Sequence, residues 1–192
     1  TYKWGQSNTG NPYGKIYRPQ IACSTVAFTT GGWMWSEKRK PQPLERIMDS
    51  YYKTVGRGSL FIVNFAPDRQ GLIEKNVVEA AKAFGDEIKR RFGHSIISSN
   101  SKEVFQTLKF KVPVEINHVI LMEDLTKGQR ISSYTIEAKE NGQWKTIVKG
   151  LTIGHKRIDD FQIVKAEALR FKVNKVTKEP AIMRNISVYC VN

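Results

Sequence analysis

The sequence predicts an α/β unit in its first half and an antiparallel β-sandwich in its second half. Residues 60–63 (LFIV) are apolar at every position, which is typical of a parallel strand covered on both faces. After residue 93 the sequence changes to short alternating segments separated by turn signals, which is typical of a sandwich. The predicted fold class is therefore α/β followed by all-β.

Two helices flank the apolar strand. One is predicted over residues 43–55, where apolar side chains recur at helical spacing: Leu44, Ile47, Met48, Tyr51 and Val55. The other is predicted over residues 74–92, with Lys and Arg gathered in the last turn, where cations complement the helix dipole. Because one parallel strand cannot stand alone, this arrangement indicates a piece of a larger sheet.

The second half contains the segments predicted as sandwich strands. They lie near residues 108–112, 119–122, 134–138, 144–147, 169–173 and 186–190. An Asn141-Gly142 pair predicts a hairpin turn. The Ser- and Asn-rich stretch 95–101 sets the boundary, so the predicted domains are residues 1–93 and 94–192. Residues 1–20, rich in Gly, Asn and Pro, are predicted to form a long loop.

The chain is strongly basic. Its 31 Lys and Arg against 18 Asp and Glu give a net charge of +13, so an anionic partner such as nucleic acid, an acidic glycan or a membrane surface deserves a test. The charge is even, with +7 in residues 1–93 and +6 in residues 94–192, which favours a solvated basic surface. No nucleic-acid motif is visible, so nucleic acid is not expected as a partner. No apolar run is long enough to span a membrane, so no membrane span is expected.

The cysteine and histidine content predicts neither a disulfide scaffold nor a metal site. Two cysteines are too few for such a scaffold, and the three histidines are isolated from one another. We therefore expect no metal and no cofactor.

Two features of the α/β unit are candidates for a binding site. Trp33 and Trp35 follow a glycine pair, and paired indoles beside flexible backbone commonly form the wall of a sugar site. Ordinary packing is the alternative reading of the two rings. Residues 64–68 follow the apolar strand, where α/β folds place their chemistry, although Pro67-Asp68 is also a common turn pair and the turn is favoured.

Several segments resemble, in order and spacing, the α-L-fucosidases of glycoside hydrolase family 29. The first half resembles the closing part of their catalytic domain in four motifs: GWMW at 32–35, YYKTVGR at 51–57, NFAPDR at 64–69 and GLI at 71–73. The second half resembles the discoidin-like sandwich that follows the barrel in many of those enzymes, in residues 116–124, 127–130 and 152–158.

This resemblance implies a terminal βα segment of a TIM-like (β/α)8 barrel, with residues 60–64 as its last strand, and a shortened antiparallel sandwich after it. It implies a retaining mechanism, in which one carboxylate attacks the anomeric carbon of fucose and a second exchanges a proton. Trp33, Trp35 and Asn64 are the expected substrate-binding residues. The substrate would be a fucosylated oligosaccharide or glycoconjugate, and a periplasmic, secreted or lysosome-like compartment is favoured.

No catalytic residue is expected within the chain. The family's nucleophile belongs to an earlier barrel strand, and too few residues precede Trp33 to contain it. The Pro-Ala-Glu that many members carry corresponds to Ala22-Cys23-Ser24, and a serine cannot exchange a proton at the needed pKa. The sequence thus predicts the C-terminal portion of a fucosidase, with the missing barrel portion as its partner. The alternatives are a non-catalytic carbohydrate-binding or structural module and a degenerate inactive relative.

Overall fold

A computed structural model of the chain describes residues 20–24 and 33–191. Apart from Gln20, the loop predicted for residues 1–20 lies outside the described residues. The elements within them follow the order β1 (Ile21–Ser24), α1 (Leu44–Lys53), β2 (Leu60–Val63), α2 (Lys75–Phe92), β3 (Ile97–Ser99), β4 (Phe105–Glu123), β5 (Ile131–Glu140), β6 (Gln143–Gly150), β7 (Arg157–Val176) and β8 (Met183–Tyr189). The described residues thus form mostly antiparallel sheet with two helices.

Strands β1 and β2 form a parallel pair in which Ile21 lies opposite Leu60. The predicted parallel strand is therefore confirmed, but its predicted cover on both faces is wrong for the residues described. Phe61 and Val63 pack against the helices, whereas Leu60 and Ile62 are 58% and 43% exposed. We call the uncovered surface of Ile21, Cys23, Leu60 and Ile62 the open face.

Both predicted helices are present, and their apolar stripes are used as the spacing indicates. Helix α1 buries Ile47, Met48 and Tyr51. Helix α2 buries Val77 near its start and packs Phe84 and Phe92 further along. The basic residues of its last turn, Lys89, Arg90 and Arg91, lie where the helix dipole favours cations.

The second half is one antiparallel sheet with the strand order β3-β8-β4-β7-β5-β6. Asn141 and Gly142 have φ of 49° and 78°, which matches the hairpin turn predicted between β5 and β6. Strands β4 and β7 are 19 and 20 residues long and carry register shifts, so each joins segments that the sequence presents separately.

The core of this sheet is made of strand and loop side chains, with Tyr134 and Phe171 the largest fully buried residues. Neither helix contributes to this cluster. The antiparallel half of the fold prediction is thereby confirmed. Its closure into a two-layered sandwich, the TIM-like barrel and the division at residue 93 remain predictions.

A second apolar cluster joins the helices to the sheet. It combines Met48 and Tyr51 of α1 with Ile120, Ile158 and Tyr189 of the sheet. The turn after α1 also bonds directly to β7, because the N–H of Ile158 donates to the carbonyl of Gly56 at 2.9 Å. The helices and the sheet therefore form one packed body.

Candidate functional site

Trp33 and Asn64 meet at the carboxyl end of β2. The Asn64 side-chain amide donates to the Trp33 carbonyl at 3.1 Å, although 31 positions separate the two residues. The Trp33 ring is 55% exposed. Two residues predicted to bind substrate are thus brought together, with an indole face available to a ligand.

Trp35 has a different environment. Its indole N–H donates to the Glu74 carboxylate at 2.8 Å, just before α2 begins, and the Arg69 guanidinium lies 6.0 Å from its ring centroid. The indole N–H of Trp35 is therefore already hydrogen-bonded within the protein, and only the face of its ring could contact a sugar. Its predicted role in binding stays a prediction, as do those of Trp33 and Asn64.

Asp68 closes the turn that follows β2. Its carboxylate accepts the backbone N–H groups of Gln70 at 2.8 Å and Leu72 at 2.9 Å. Gly71 completes the turn with φ of 81°. The turn reading of Pro67-Asp68 is confirmed, so this carboxylate stabilises the loop.

The segment matched to Pro-Ala-Glu lies beside this site. Residues 22–24 belong to β1, where Ser24 pairs with Val63, the residue just before Asn64. A carboxylate at residue 24 would therefore start from the same edge of the sheet as Asn64, but the chain has serine there.

A buried charge cluster holds the turn after α1 against the sheet. Asp159 is 5% exposed, accepts a hydrogen bond from Arg157 Nε at 2.7 Å and is bonded by the Tyr134 hydroxyl. Arg57 Nη1 lies 3.8 Å from the same carboxylate. Burial and the neighbouring Asp159 charge raise the pKa of Tyr134 well above its ordinary value, so Tyr134 stays a hydrogen-bond donor.

A chain of hydrogen bonds crosses the helix–sheet interface through His118. Arg91 donates to the Tyr52 hydroxyl at 3.2 Å, and that hydroxyl is hydrogen-bonded to His118 Nε2 at 2.9 Å. The proton on His118 Nδ1 then bonds to Asn117 Oδ1 at 2.8 Å. Asn117 in turn bonds both backbone groups of Val191, at 2.7 Å each.

The surroundings of His118 favour its neutral form. Burial lowers the pKa of His118, and the Arg91 charge lowers it further, while Asp160 opposes them. His118 lies on β4, and its two ring nitrogens bond to Tyr52 and Asn117.

A cleft of about 510 Å³ opens beside this chain of bonds. Its wall carries charges of both signs, which matches no single ligand class. The lining residues are Glu45, Met48, Asp49, Tyr52, Lys53, Arg57, Arg91, His118, Ile158 and Asp160.

Sequence reasoning missed the interface residues. Tyr52 and His118 are 66 positions apart, and Tyr134 and Asp159 are 25 apart, so no local spacing links them. One local signal exists for His118, because Asn117-His118 interrupts an otherwise apolar run before Val119.

Within residues 20–24 and 33–191, no three His, Cys, Asp or Glu side chains are grouped as metal ligands. Neither helix in that part of the chain is long and apolar enough to cross a membrane.

The chain is similar to proteins that are named as α-L-fucosidases. No family model matches the chain. The chain nevertheless resembles proteins of that class over most of its length, which confirms the resemblance carried by its motifs.

Particular relatives make the likeness concrete. The chain is 28% identical to alpha-L-fucosidase 1 of Arabidopsis thaliana, over 92% of this chain and 42% of that protein. The crystal structure of a candidate α-L-fucosidase from Bacteroides thetaiotaomicron matches with 35% identity and a TM-score of 0.87, over 95% of this chain and 43% of that one. A glycoside hydrolase 29 family member from an unknown rumen bacterium matches with 30% identity and a TM-score of 0.76, over 84% and 31% of the two chains. The chain spans about two fifths of the length of the curated relatives it matches.

Proposed function

We propose that this chain is the C-terminal portion of an α-L-fucosidase-like retaining glycoside hydrolase that releases terminal L-fucose from glycans. One observation carries the proposal: a candidate α-L-fucosidase shares 35% of its residues and its fold over 95% of this chain. The relative from Arabidopsis thaliana, named an α-L-fucosidase, supports the same activity at 28% identity. The substrate would be a fucosylated oligosaccharide or glycoconjugate.

The open face supports a place at the end of a barrel. Parallel strands are normally buried on both sides, yet here the helices cover Phe61 and Val63 while Ile21, Leu60 and Ile62 stay exposed. In a complete (β/α)8 barrel, the face away from the helices is packed by side chains from the other strands. We therefore assign residues 1–93 to the closing part of such a barrel and residues 94–192 to a sandwich that supports it.

The proposed sugar contacts are Trp33, Trp35 and Asn64. The exposed ring of Trp33 would stack on an apolar face of the pyranose, and Asn64 would hold it there through its bond to the Trp33 carbonyl. Trp35 would contribute its ring alone, because its N–H is bonded to Glu74.

The carboxylates of the reaction would come from outside the chain. A retaining mechanism needs two carboxyl groups about 5 Å apart at the anomeric carbon. Near Trp33 and Asn64, the bonded carboxylates of Asp68 and Glu74 are held by the loop backbone and by Trp35. The 192 residues alone should therefore be inactive, and the partner supplying the nucleophile would be the missing barrel portion.

Hydrolysis of an aryl α-L-fucoside tests this function. The polypeptide isolated from its source is expected to be about twice the mass of these residues and to release fucose, whereas the 192-residue chain should not. An isolated polypeptide that leaves aryl fucosides intact would refute the function.

Replacing Trp33 tests the site within that polypeptide. Trp33→Ala should lower kcat/KM by about 2- to 10-fold, the range expected for one lost aromatic contact. Trp144→Ala is the matched control, because Trp144 lies on β6 beneath Arg170, at 4.2 Å from ring centroid to guanidinium. Equal kinetics for Trp33→Ala and the unmodified protein would remove Trp33 from the site.

A non-catalytic carbohydrate-binding module is the second candidate function. It is favoured because the carboxylates of Asp68 and Glu74 are hydrogen-bonded to other groups of the protein. It predicts that the 192-residue chain retains fucosylated glycans on an array and that Trp33→Ala loses them. A flat array for the unmodified chain would exclude it.

A further inference from the structure

One face of the large sheet is basic at the end remote from the helices. Residues paired directly across neighbouring strands lie on the same face of a sheet, and so does every second residue along a strand. The strand register therefore puts three rows of four residues on this face. We call these rows the basic face: Phe105, Lys172, Thr135 and Lys149; Thr107, Arg170, Glu137 and Thr146; Lys109, Ala168, Lys139 and Trp144.

The basic face carries five cations and one carboxylate. Two of the cations are already paired: Arg170 Nε lies 2.6 Å from Glu137, and Lys139 Nζ lies 3.7 Å from Glu167. Lys109, Lys149 and Lys172 are exposed, and no ion pair involves them among the described residues. Their charge therefore faces solvent without compensation.

The spacing of these three lysines fits an extended ligand. Lys172 and Lys149 are separated by one intervening strand, which places their backbones about 10 Å apart. Lys109 lies four residues along β4 from Phe105, the partner of Lys172, or about 13 Å. No two of them can clamp one small anion, but a linear polymer with repeated charges could reach all three.

This surface is separate from both the helices and the open face. Ile120, which packs against the helices, lies 11 residues beyond Lys109 on β4. The far end of the same strand is thus free of the contacts that join the two halves.

We propose that the basic face binds a linear polyanionic glycan, one that carries sulfate or carboxylate groups along its length. The lysines would pair with the anionic groups, and the exposed Thr107 and Thr146 hydroxyls would bond to sugar or sulfate oxygens. Of the two aromatic side chains on this face, Trp144 is covered by Arg170 and only Phe105 is exposed, so the face does not offer the series of rings on which single-stranded nucleic-acid binders stack successive bases. The proposal does not depend on fucosidase activity.

Heparin binding by the full 192-residue chain tests the proposal. The triple variant Lys109→Gln, Lys149→Gln, Lys172→Gln should weaken heparin affinity at least tenfold at low salt. It should also lower the slope of log affinity against log salt by about two, because fewer counterions are released.

A second triple variant separates this face from net charge. Lys75, Lys82 and Lys89 are exposed on α2 and lie seven residues apart, so changing all three to Gln removes the same charge from a helix. The α2 variant should bind heparin within about twofold of the unmodified chain. Equal losses in the two triple variants, or no heparin binding by the unmodified chain, would overturn the proposal.

Two further probes define the ligand class. Hyaluronan, which carries carboxylates only, should bind more weakly than heparin but with the same dependence on the three lysines. Single-stranded DNA of equal charge is the other probe. If it binds more tightly than heparin and through the same three lysines, the ligand is a nucleic acid and the assignment to a glycan is overturned.

Discussion

Replacing Gly150 by alanine is expected to displace the largest buried side chain of the sheet. A Cβ at residue 150 would lie 2.0 Å from Tyr134 Cζ and 2.3 Å from its hydroxyl oxygen. Carbon atoms in contact are normally about 3.5–4.0 Å apart, so the ring and the new methyl group cannot both stay. Gly150 is also the strand partner of Tyr134 on β6, which limits how far the backbone can retreat.

The expected loss follows from what Tyr134 would give up. Its side chain is fully buried, and exposing an aromatic side chain of this kind costs about 1.5–3 kcal/mol. Its hydroxyl bonds to Asp159, and a hydrogen bond to a charged group is worth about 1.5–3 kcal/mol. Gly150→Ala should therefore lower the free energy of unfolding by about 3–5 kcal/mol.

Urea unfolding followed by far-UV circular dichroism measures this loss. Tyr134→Ala removes the ring with which the new methyl group would collide. When Tyr134→Ala is combined with Gly150→Ala, the loss in the free energy of unfolding should therefore be at least about 2 kcal/mol smaller than the sum of the two single losses. Tyr134→Phe removes only the hydroxyl, so combined with Gly150→Ala it should recover only the shared hydrogen-bond loss of about 1.5–3 kcal/mol. Single losses that add within about 0.5 kcal/mol would refute the collision.

Two glycines and one histidine carry the other stability predictions. Gly85→Ala should stabilise the chain by about 0.5–1 kcal/mol, because no atom lies within 4 Å of the new Cβ in this helical position. Gly56→Ala should destabilise the chain by at least about 2 kcal/mol, because its Cβ would lie 2.5 Å from the Tyr52 carbonyl oxygen. Equal urea midpoints for Gly85→Ala and Gly56→Ala would contradict the opposite effects expected of them. Because burial lowers the pKa of His118, the unfolded chain takes up the proton first, and stability should fall as pH drops below about 6.5. His118→Gln should flatten that fall between about pH 7.5 and 5.5. An unaltered slope in His118→Gln would refute the role of His118.

The helices were predictable because their apolar spacing is local, while the long strands were not. Strand β4 changes register between Lys109 and Val114 and again between Ile116 and His118. Each such irregularity shifts which alternate residues face the core, so one strand looks like two in the sequence. Register shifts also interrupt β7, and for this reason only its residues 169–173 were predicted as strand.

The candidate site was predictable only in part. Trp33 and Asn64 could be singled out from neighbouring residues, a glycine pair and the end of an apolar strand. The hydrogen bond between Trp33 and Asn64 and the exposure of Leu60 and Ile62 depend on how residues distant in the sequence pack in the fold. A local sequence pattern carries no information on that packing. The basic face is invisible for the same reason, because register, not sequence proximity, brings its lysines onto one surface.

The bond between Gly56 and Ile158 has a consequence for how this chain can be divided. A cut at residue 93 would leave Met48 and Tyr51 on one fragment, and Ile158 with the Asp159 carboxylate on the other. Each fragment would expose an apolar patch, and Asp159 would lose its Arg57 neighbour. We therefore expect the two sides of the predicted boundary to unfold together, and a truncation meant to isolate the sheet should keep α1 and α2.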